Sequence, residues 1–379
     1  MIFIFICIGI TLIYVVLIAN FSLGFDRIKT FELSQHKPIT RFSIIIPFRN
    51  EEKMLPTLLE SILNLTYPKD YFEIIFVDDD SDDTSVQMLN STLINNGTSP
   101  IDFKIVKNIK SSNSPKKDAI SLAISQAKYD WIVTTDADGI LPKYWLDSFD
   151  AFIQKQEPDF IAAPITYANS QGFLQNFQLS DVLSLQGATI GGFGIKRPFL
   201  CNGANLAYKK ELFKTLNGFQ GNSEIASGDD VFLLEKATEQ SSNKVHYLKC
   251  QGAVVSTFAL TSWSDLIEQR VRWAAKSSAY KNWFGKLVGL IVLSQNALLV
   301  SCVLLAAIGI MKPLHLLIIF LIKFCIDFLL IYKAANFFNQ KHHLKYYFLS
   351  SFLYPFFSVL VTFLAVFKGF KWKDRSYKK

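Results

Sequence analysis

Four long apolar runs enclose a single polar stretch, and that arrangement limits the chain more than any other feature. Residues 1–19 contain no charge, and the run continues to Phe25 with Asn20 and Ser22 as its clearly polar breaks. Further runs occupy 287–311, 314–332 and 346–367. About 20 apolar residues span a bilayer core as a helix. The first run has no basic n-region and is too long for a cleaved signal, so it reads as a retained anchor. Three consecutive later runs favour a membrane bundle over the buried helices of a soluble core. The roughly 260 residues between the first and second runs are mixed, charged and rich in turn signals.

Charge and cysteine content narrow the options further. Only 19% of residues are charged, below the roughly 25% of soluble domains. The formal charge is +7, but residues 368–379 hold six basic groups and one acidic one. The rest is nearly balanced, so no nucleic-acid partner is implied. Five cysteines form no CxxC pair, which leaves a zinc ribbon or disulfide framework without support. The expected division is an anchor at 1–25, a water-facing domain at 26–285, a bundle of about three apolar segments at 286–367 and a basic tail at 368–379. Within the third run, Lys323 and Asp327 stand four apart, which lets them pair on one helix face. A cytoplasmic polar domain with four full crossings puts both termini outside, yet the basic tail favours the cytoplasm. Either one apolar run is re-entrant or interfacial, or the charge rule is broken.

The polar stretch reads as α/β. Apolar strands are expected at 42–46, 72–77, 103–106 and 131–134, and helices at 52–63, 82–93 and 118–128. Strands alternating with helices predict a mostly parallel sheet covered on both faces. In such sheets ligands sit beyond the carboxyl ends of the strands. Two acidic clusters fall there, Asp78-Asp79-Asp80 and Asp136-Ala137-Asp138. Either alone could be a solvated turn; together they point to a site. Two carboxylates at i and i+2 can hold a divalent cation, which would neutralise a diphosphate. No Walker A or GxGxxG pattern follows the first strand, which disfavours enzymes of those types.

The ordered segments Ile46-Pro47-Phe48-Arg49-Asn50-Glu51, Val77 to Thr84, Thr135-Asp136-Ala137-Asp138-Gly139 and Gln269-Arg270-Val271-Arg272-Trp273 resemble those of family 2 glycosyltransferases. The nearest groups are the membrane synthases of cellulose, hyaluronan and chitin type and ceramide glucosyltransferase. The resemblance covers roughly residues 40–285. It implies a GT-A nucleotide-sugar-binding domain flanked by transmembrane helices, with the domain on the cytoplasmic side. It further implies an inverting transfer of sugar from a nucleoside-diphosphate sugar, UDP-linked above all, to a hydroxyl of a lipid or glycan. A processive polysaccharide synthase is the alternative within that class. A non-catalytic scaffold with a degenerate GT-A domain is the alternative outside it.

The resemblance also assigns roles. Asp79 would bind the base and Glu51 would line its pocket. Asp80 stands where the pattern often has Gly, and Asp83 is as apt to cap the next helix. Lys117, with Lys116 adjacent, would help place the nucleotide. Asp138 would be the main ligand of Mg²⁺ or Mn²⁺ with Asp136 assisting, and Arg272 would pair with the diphosphate. Asn202 and Gly203 look like the acceptor-side loop, preceded by a glycine-rich Gly191-Gly192-Phe193-Gly194. Asp230 would be the general base, with Asp229, Gln269 and Trp273 on the acceptor side. A hydroxyl nucleophile needs such a base, whereas a metal-neutralised diphosphate leaves without a separate acid. The 269/272/273 spacing gives one helix face. Its aromatic and basic neighbours are equally compatible with an interfacial helix.

Overall fold

A computed structural model describes residues 2–95, 101–223, 225, 228–277, 279–367, 370–372 and 375–377. The chain opens with helix α1 (Ile2–Arg27), then β1 (Phe42–Phe48), α2 (Leu55–Leu63), β2 (Phe72–Asp78), α3 (Ser85–Asn95), β3 (Asp102–Lys107) and α4 (Pro115–Gln126). It continues through β4 (Trp131–Thr134), α5 (Trp145–Gln156), β5 (Phe160–Ala162), β6 (Ile165–Ala168) and the long α6 (Gly172–Gly194). Next come β7 (Leu206–Lys209), α7 (Lys210–Thr215), α8 (Asp229–Ser241), β8 (Val245–Tyr247) and β9 (Val255–Phe258). The last elements are α9 (Trp263–Ser277), α10 (Trp283–Ala307), α11 (Pro313–Phe337), α12 (Tyr347–Phe367), β10 (Phe370–Trp372) and β11 (Arg375–Tyr377).

These elements form two compact units. A polar unit comprises Lys29–Ala168 and Cys201–Phe258; a helical unit comprises Met1–Ile28, Asn169–Leu200 and Ala259–Lys379. The observed division departs from the 26–285 boundaries read from sequence, because α6 and α9 belong with the apolar helices.

The polar unit is built on a seven-stranded sheet of order β3-β2-β1-β4-β7-β5-β8. β1 to β4 run parallel, and β7 is antiparallel to both β4 and β5. The sheet is thus mixed and mostly parallel, and β6 and β9 form a separate parallel pair. Continuous apolar sequence in β1 and β2 follows from burial on both faces: Ile44, Ile45, Ile74 and Ile75 are fully buried. Two helices start later than periodicity suggests. The Glu51 carbonyl accepts the amides of Met54 and Leu55, so residues 52–54 form a turn before α2. Asp83 accepts the Ser85 amide and delays α3. Burial disfavours its charge, but amide donors including Ser85 and Glu52 hold its carboxyl below the usual range.

In the helical unit α1 packs on α6, α10 and α11. The Gly191–Gly194 segment, which precedes the expected acceptor-side loop, is the last turn of α6. A methyl group on Gly191 would overlap the Phe21 carbonyl, and one on Gly194 the Gly24 carbonyl. A Cβ on Gly187 would lie 2.8 Å from Leu330 Cγ. Gly191 and Gly194 allow the backbones of α6 and α1 to touch, as small residues do between membrane helices. Among the described residues, four helices are long and apolar enough to cross a membrane: Phe5–Arg27, Trp283–Ala307, Pro313–Phe337 and Lys341–Phe367. The pair expected on α11 forms: Lys323 Nζ lies 2.5 Å from Asp327 Oδ2, and Asp327 Oδ1 accepts the Tyr14 hydroxyl at 2.6 Å. In the tail, β10 and β11 pair antiparallel; Lys368, Gly369, Lys373, Asp374, Lys378 and Lys379 lie outside the described residues.

Candidate active site

The acids fall at the carboxyl edge of the polar unit's sheet because β1, β2 and β4 run parallel, β1 and β2 ending level and β4 three residues earlier. Register pairs Phe48 with Asp78 and Ile45 with Thr134. Beyond β2, Asp79 is 6% exposed and accepts the Asn108 amide at 2.8 Å. Arg49 Nη1 donates to the carbonyls of Asp79 and Asp80 and ties the ends of β1 and β2 together. Asp80 has φ +60°. Glycine fits that left-handed conformation best and Asp tolerates it. Glu51 lines an open cavity of about 440 Å³ with Asn50, Glu52, Lys53, Asp82 and Asp83.

Beyond β4 a tight turn closes from Gly139 N to the Asp136 carbonyl at 3.1 Å. Asp136 Oδ1 lies 2.7 Å from Lys116 Nζ, and the same ammonium lies 3.4 Å from Asp229 Oδ2. Asp230 Oδ2 accepts the Gly203 amide at 3.2 Å. The Gly203 carbonyl in turn accepts Thr134 Oγ1 at 2.8 Å. A Cβ on Gly203 would sit 2.8 Å from Asp229 Oδ2 and 3.4 Å from Lys116 Nζ, so only glycine fits between them. Gly228, with φ +84°, starts α8 and puts Asp229 and Asp230 in its first turn, where a helix dipole favours carboxylates. Three sequence-distant segments therefore bring Asp136, Asp229 and Asp230 around one lysine.

Electrostatics follow from that crowding. Desolvation works against the Lys116 charge, but Asp136, Asp229 and Asp230 outweigh it and hold the ammonium above its ordinary range. Burial, followed by the like charge of Asp136, raises Asp138, and the Thr257 hydrogen bond at 2.9 Å opposes the rise. A carboxylate whose charge is disfavoured by burial, two residues from another, suits a divalent cation. Among the described residues no three His, Cys, Asp or Glu side chains gather into a metal site of their own. If a cation binds here, Asp136 and Asp138 are the carboxylates that would hold it, with phosphate oxygens and water needed to complete its shell.

Several expected residues sit differently. Lys117 is buried, and its ammonium donates to the carbonyls of Asn222 at 2.7 Å and Ile225 at 2.9 Å. It also lies 4.7 Å from the Phe232 ring centroid. The lysine that meets the acids is its neighbour Lys116, and nothing in a Lys-Lys pair says which one turns inward. Asn202 uses its side-chain oxygen on the Ala204 amide at 2.9 Å and caps a short 3-10 turn. Thr257 and Asn108 were missed; each acts across a long sequence gap and belongs to no local pattern.

In the helical unit, Gln269, Arg272 and Trp273 are half-buried on α9, while Leu266 and Val271 are buried with Phe177, Phe357 and Val361. Arg270, between the motif positions, is 6% exposed and pairs with Asp181 of α6 at 2.7 Å.

Comparison with known sequences settles the family. A profile described as glycosyl transferase family group 2 matches residues 131–368, more than half of the chain. The chain belongs to that glycosyltransferase family. A second profile, glycosyl transferase family 2, matches residues 43–216 of this glycosyltransferase. It is similar to the poly(ribitol-phosphate) beta-N-acetylglucosaminyltransferase TarS of Staphylococcus aureus, 28% identical over 136 residues, 36% of this chain and 23% of the relative. It is also similar to an undecaprenyl-phosphate 4-deoxy-4-formamido-L-arabinose transferase of Serratia proteamaculans, 34% identical over 110 residues, 28% of this chain and 31% of that one. The matched segment thus spans under a third of either relative. Among solved structures, the mannosyltransferase PcManGT of Pyrobaculum calidifontis in complex with GDP-Man and Mn2+ aligns with a TM-score of 0.61 at 16% identity, covering 95% of this chain and 99% of that chain. The fold of this glycosyltransferase is therefore α/β of GT-A type with long apolar helices at both ends.

Proposed function

We propose that the protein is an inverting glycosyltransferase that moves a sugar from a nucleoside-diphosphate sugar to a hydroxyl of a lipid or glycan at the membrane, with its polar domain cytoplasmic and four membrane-spanning helices. One observation carries this reading: Asp136, Asp229 and Asp230 gather around Lys116 at the carboxyl edge of a GT-A sheet. Asp79, held by Asn108, binds the base, and Glu51 lines its pocket. Asp136 and Asp138 would hold Mg²⁺ or Mn²⁺, and such an ion would supply charge neutralisation of the leaving diphosphate. Arg272 pairs with that diphosphate. Asp230 takes the acceptor proton as the hydroxyl attacks C1 of the sugar from the face opposite the nucleotide. Gly203 keeps that carboxylate oriented through its amide, and Asp229 keeps Lys116 turned inward. Asn202, Gln269 and Trp273 serve the acceptor side.

The printed names of the relatives point to phosphate-bearing polymers and lipids, which supports an acceptor of either kind. The donor is a UDP-sugar, or a GDP-sugar as in PcManGT. The test is direct. Purified protein in vesicles of host lipid receives UDP-GlcNAc, UDP-glucose or GDP-mannose, radiolabelled in the sugar, with Mg²⁺ or Mn²⁺. Label should pass to a lipid-extractable or polymeric product, and the product's length separates single transfer from processive synthesis. Label that stays on nucleotide with every donor would leave the scaffold reading.

A further inference from the structure

We propose that Arg270, which lies inside the Gln269–Trp273 segment but outside its Gln-x-x-Arg-Trp pattern, is a positioning residue that sets Gln269 and Trp273 through a buried ion pair with Asp181. The inference rests on the transferase reading above.

Arg270 makes three kinds of contact at once. Its Nε donates to Asp181 Oδ2 at 2.7 Å, its Nη1 donates to Gln269 Oε1, and its guanidinium carbon lies 4.1 Å from the Trp273 ring centroid. The side chains of Arg270 and Asp181 are 6% and 5% exposed. One turn before Asp181 on α6, Gln178 donates to the Leu260 carbonyl at 2.8 Å and accepts the Leu260 amide at 3.0 Å. The segment leading into α9 and the middle of α9 are thus both fixed to α6.

This geometry has chemical content. A guanidinium only donates, so its bond to Gln269 must fall on the amide oxygen, which leaves the amide NH₂ to face outward. Gln269 then serves a ligand as a donor, suited to a hydroxyl oxygen or a phosphate oxygen. The guanidinium covers one face of Trp273, so a sugar ring would have to stack on the other. Lysine cannot replace a planar fork that bonds and stacks together.

Three variants test the idea in vesicles with the same labelled donors. Arg270→Lys keeps the charge opposite Asp181 but loses the fork. Its kcat for transfer should fall roughly 10- to 100-fold, with donor KM nearly unmoved and the melting temperature close to wild type. Acrylamide quenching of Trp273, read as the difference from the same protein carrying Trp273→Phe, should rise in Arg270→Lys. Gln269→Glu keeps an acceptor for Arg270 and removes the NH₂, so its kcat should drop to that of Gln269→Ala. Wild-type kcat in Arg270→Lys would overturn the inference, as would parallel loss of kcat and melting temperature with Trp273 quenching unchanged. Activity retained by Gln269→Glu would overturn the donor role. No transfer by the wild type with any donor would instead sink the transferase reading itself, and this role with it.

Discussion

The two units treat buried charge in opposite ways. In the helical unit, buried charges are matched one to one: Arg270 with Asp181, and Lys323 with Asp327. In the polar unit, Asp136, Asp229 and Asp230 crowd one Lys116, with Asp138 close enough to Asp136 to be raised by it. Matched pairs offset their own desolvation and need nothing further. An excess of carboxylate over ammonium is costly unless something positive arrives. On the proposed function, that imbalance is where a cation and a diphosphate would bind.

Breaking the comparison should have graded effects. Asp230→Asn should reduce transfer by about 10²- to 10⁴-fold while nucleotide-sugar binding, measured by titration calorimetry, survives; full turnover would remove Asp230 as the base. Lys323→Met strands a buried Asp327 and should cost about 3–5 kcal/mol in detergent melts. The double variant with Asp327→Leu should regain most of that, whereas an equally unstable double variant would mean the pair does more than balance charge. Asp138→Ala, or chelation of the metal, should weaken donor binding by about 100-fold, since loss of an outer partner alone costs about 10- to 100-fold. Thr257→Val removes such a partner and should cost about tenfold in metal affinity, seen as a rightward shift of the Mn²⁺ activation curve. At the small end, Lys209→Met breaks a half-exposed pair with Asp159 and should change stability by about 0.5 kcal/mol.

How legible all this was depends on the range of the interaction. The runs that became β2 and β4 end in acids, so the strands and the carboxyl-edge location could be read directly. Lys323 and Asp327 were readable because four residues make one helical turn. The partner of Arg270 was not, since Asp181 lies 89 residues earlier and no period links them. Lys116 and Lys117 are chemically identical, and only the packing of α4 separates a lysine that faces the acids from one that holds the carbonyls of Asn222 and Ile225. The glycines at 191–194 carry two opposite meanings in sequence, a flexible loop or a close helix crossing. Only the fold chooses the second.

That crossing has a consequence for anyone who would rebuild the protein. Gly24 of α1 and Gly191 of α6 meet backbone to backbone, and a Cβ on either would strike the other helix's main chain. A foreign signal anchor of equal length and greasiness, fused in place of α1, would dwell in the lipid and still fail to dock. The information in that first helix lies less in its many isoleucines than in one position where the side chain is missing.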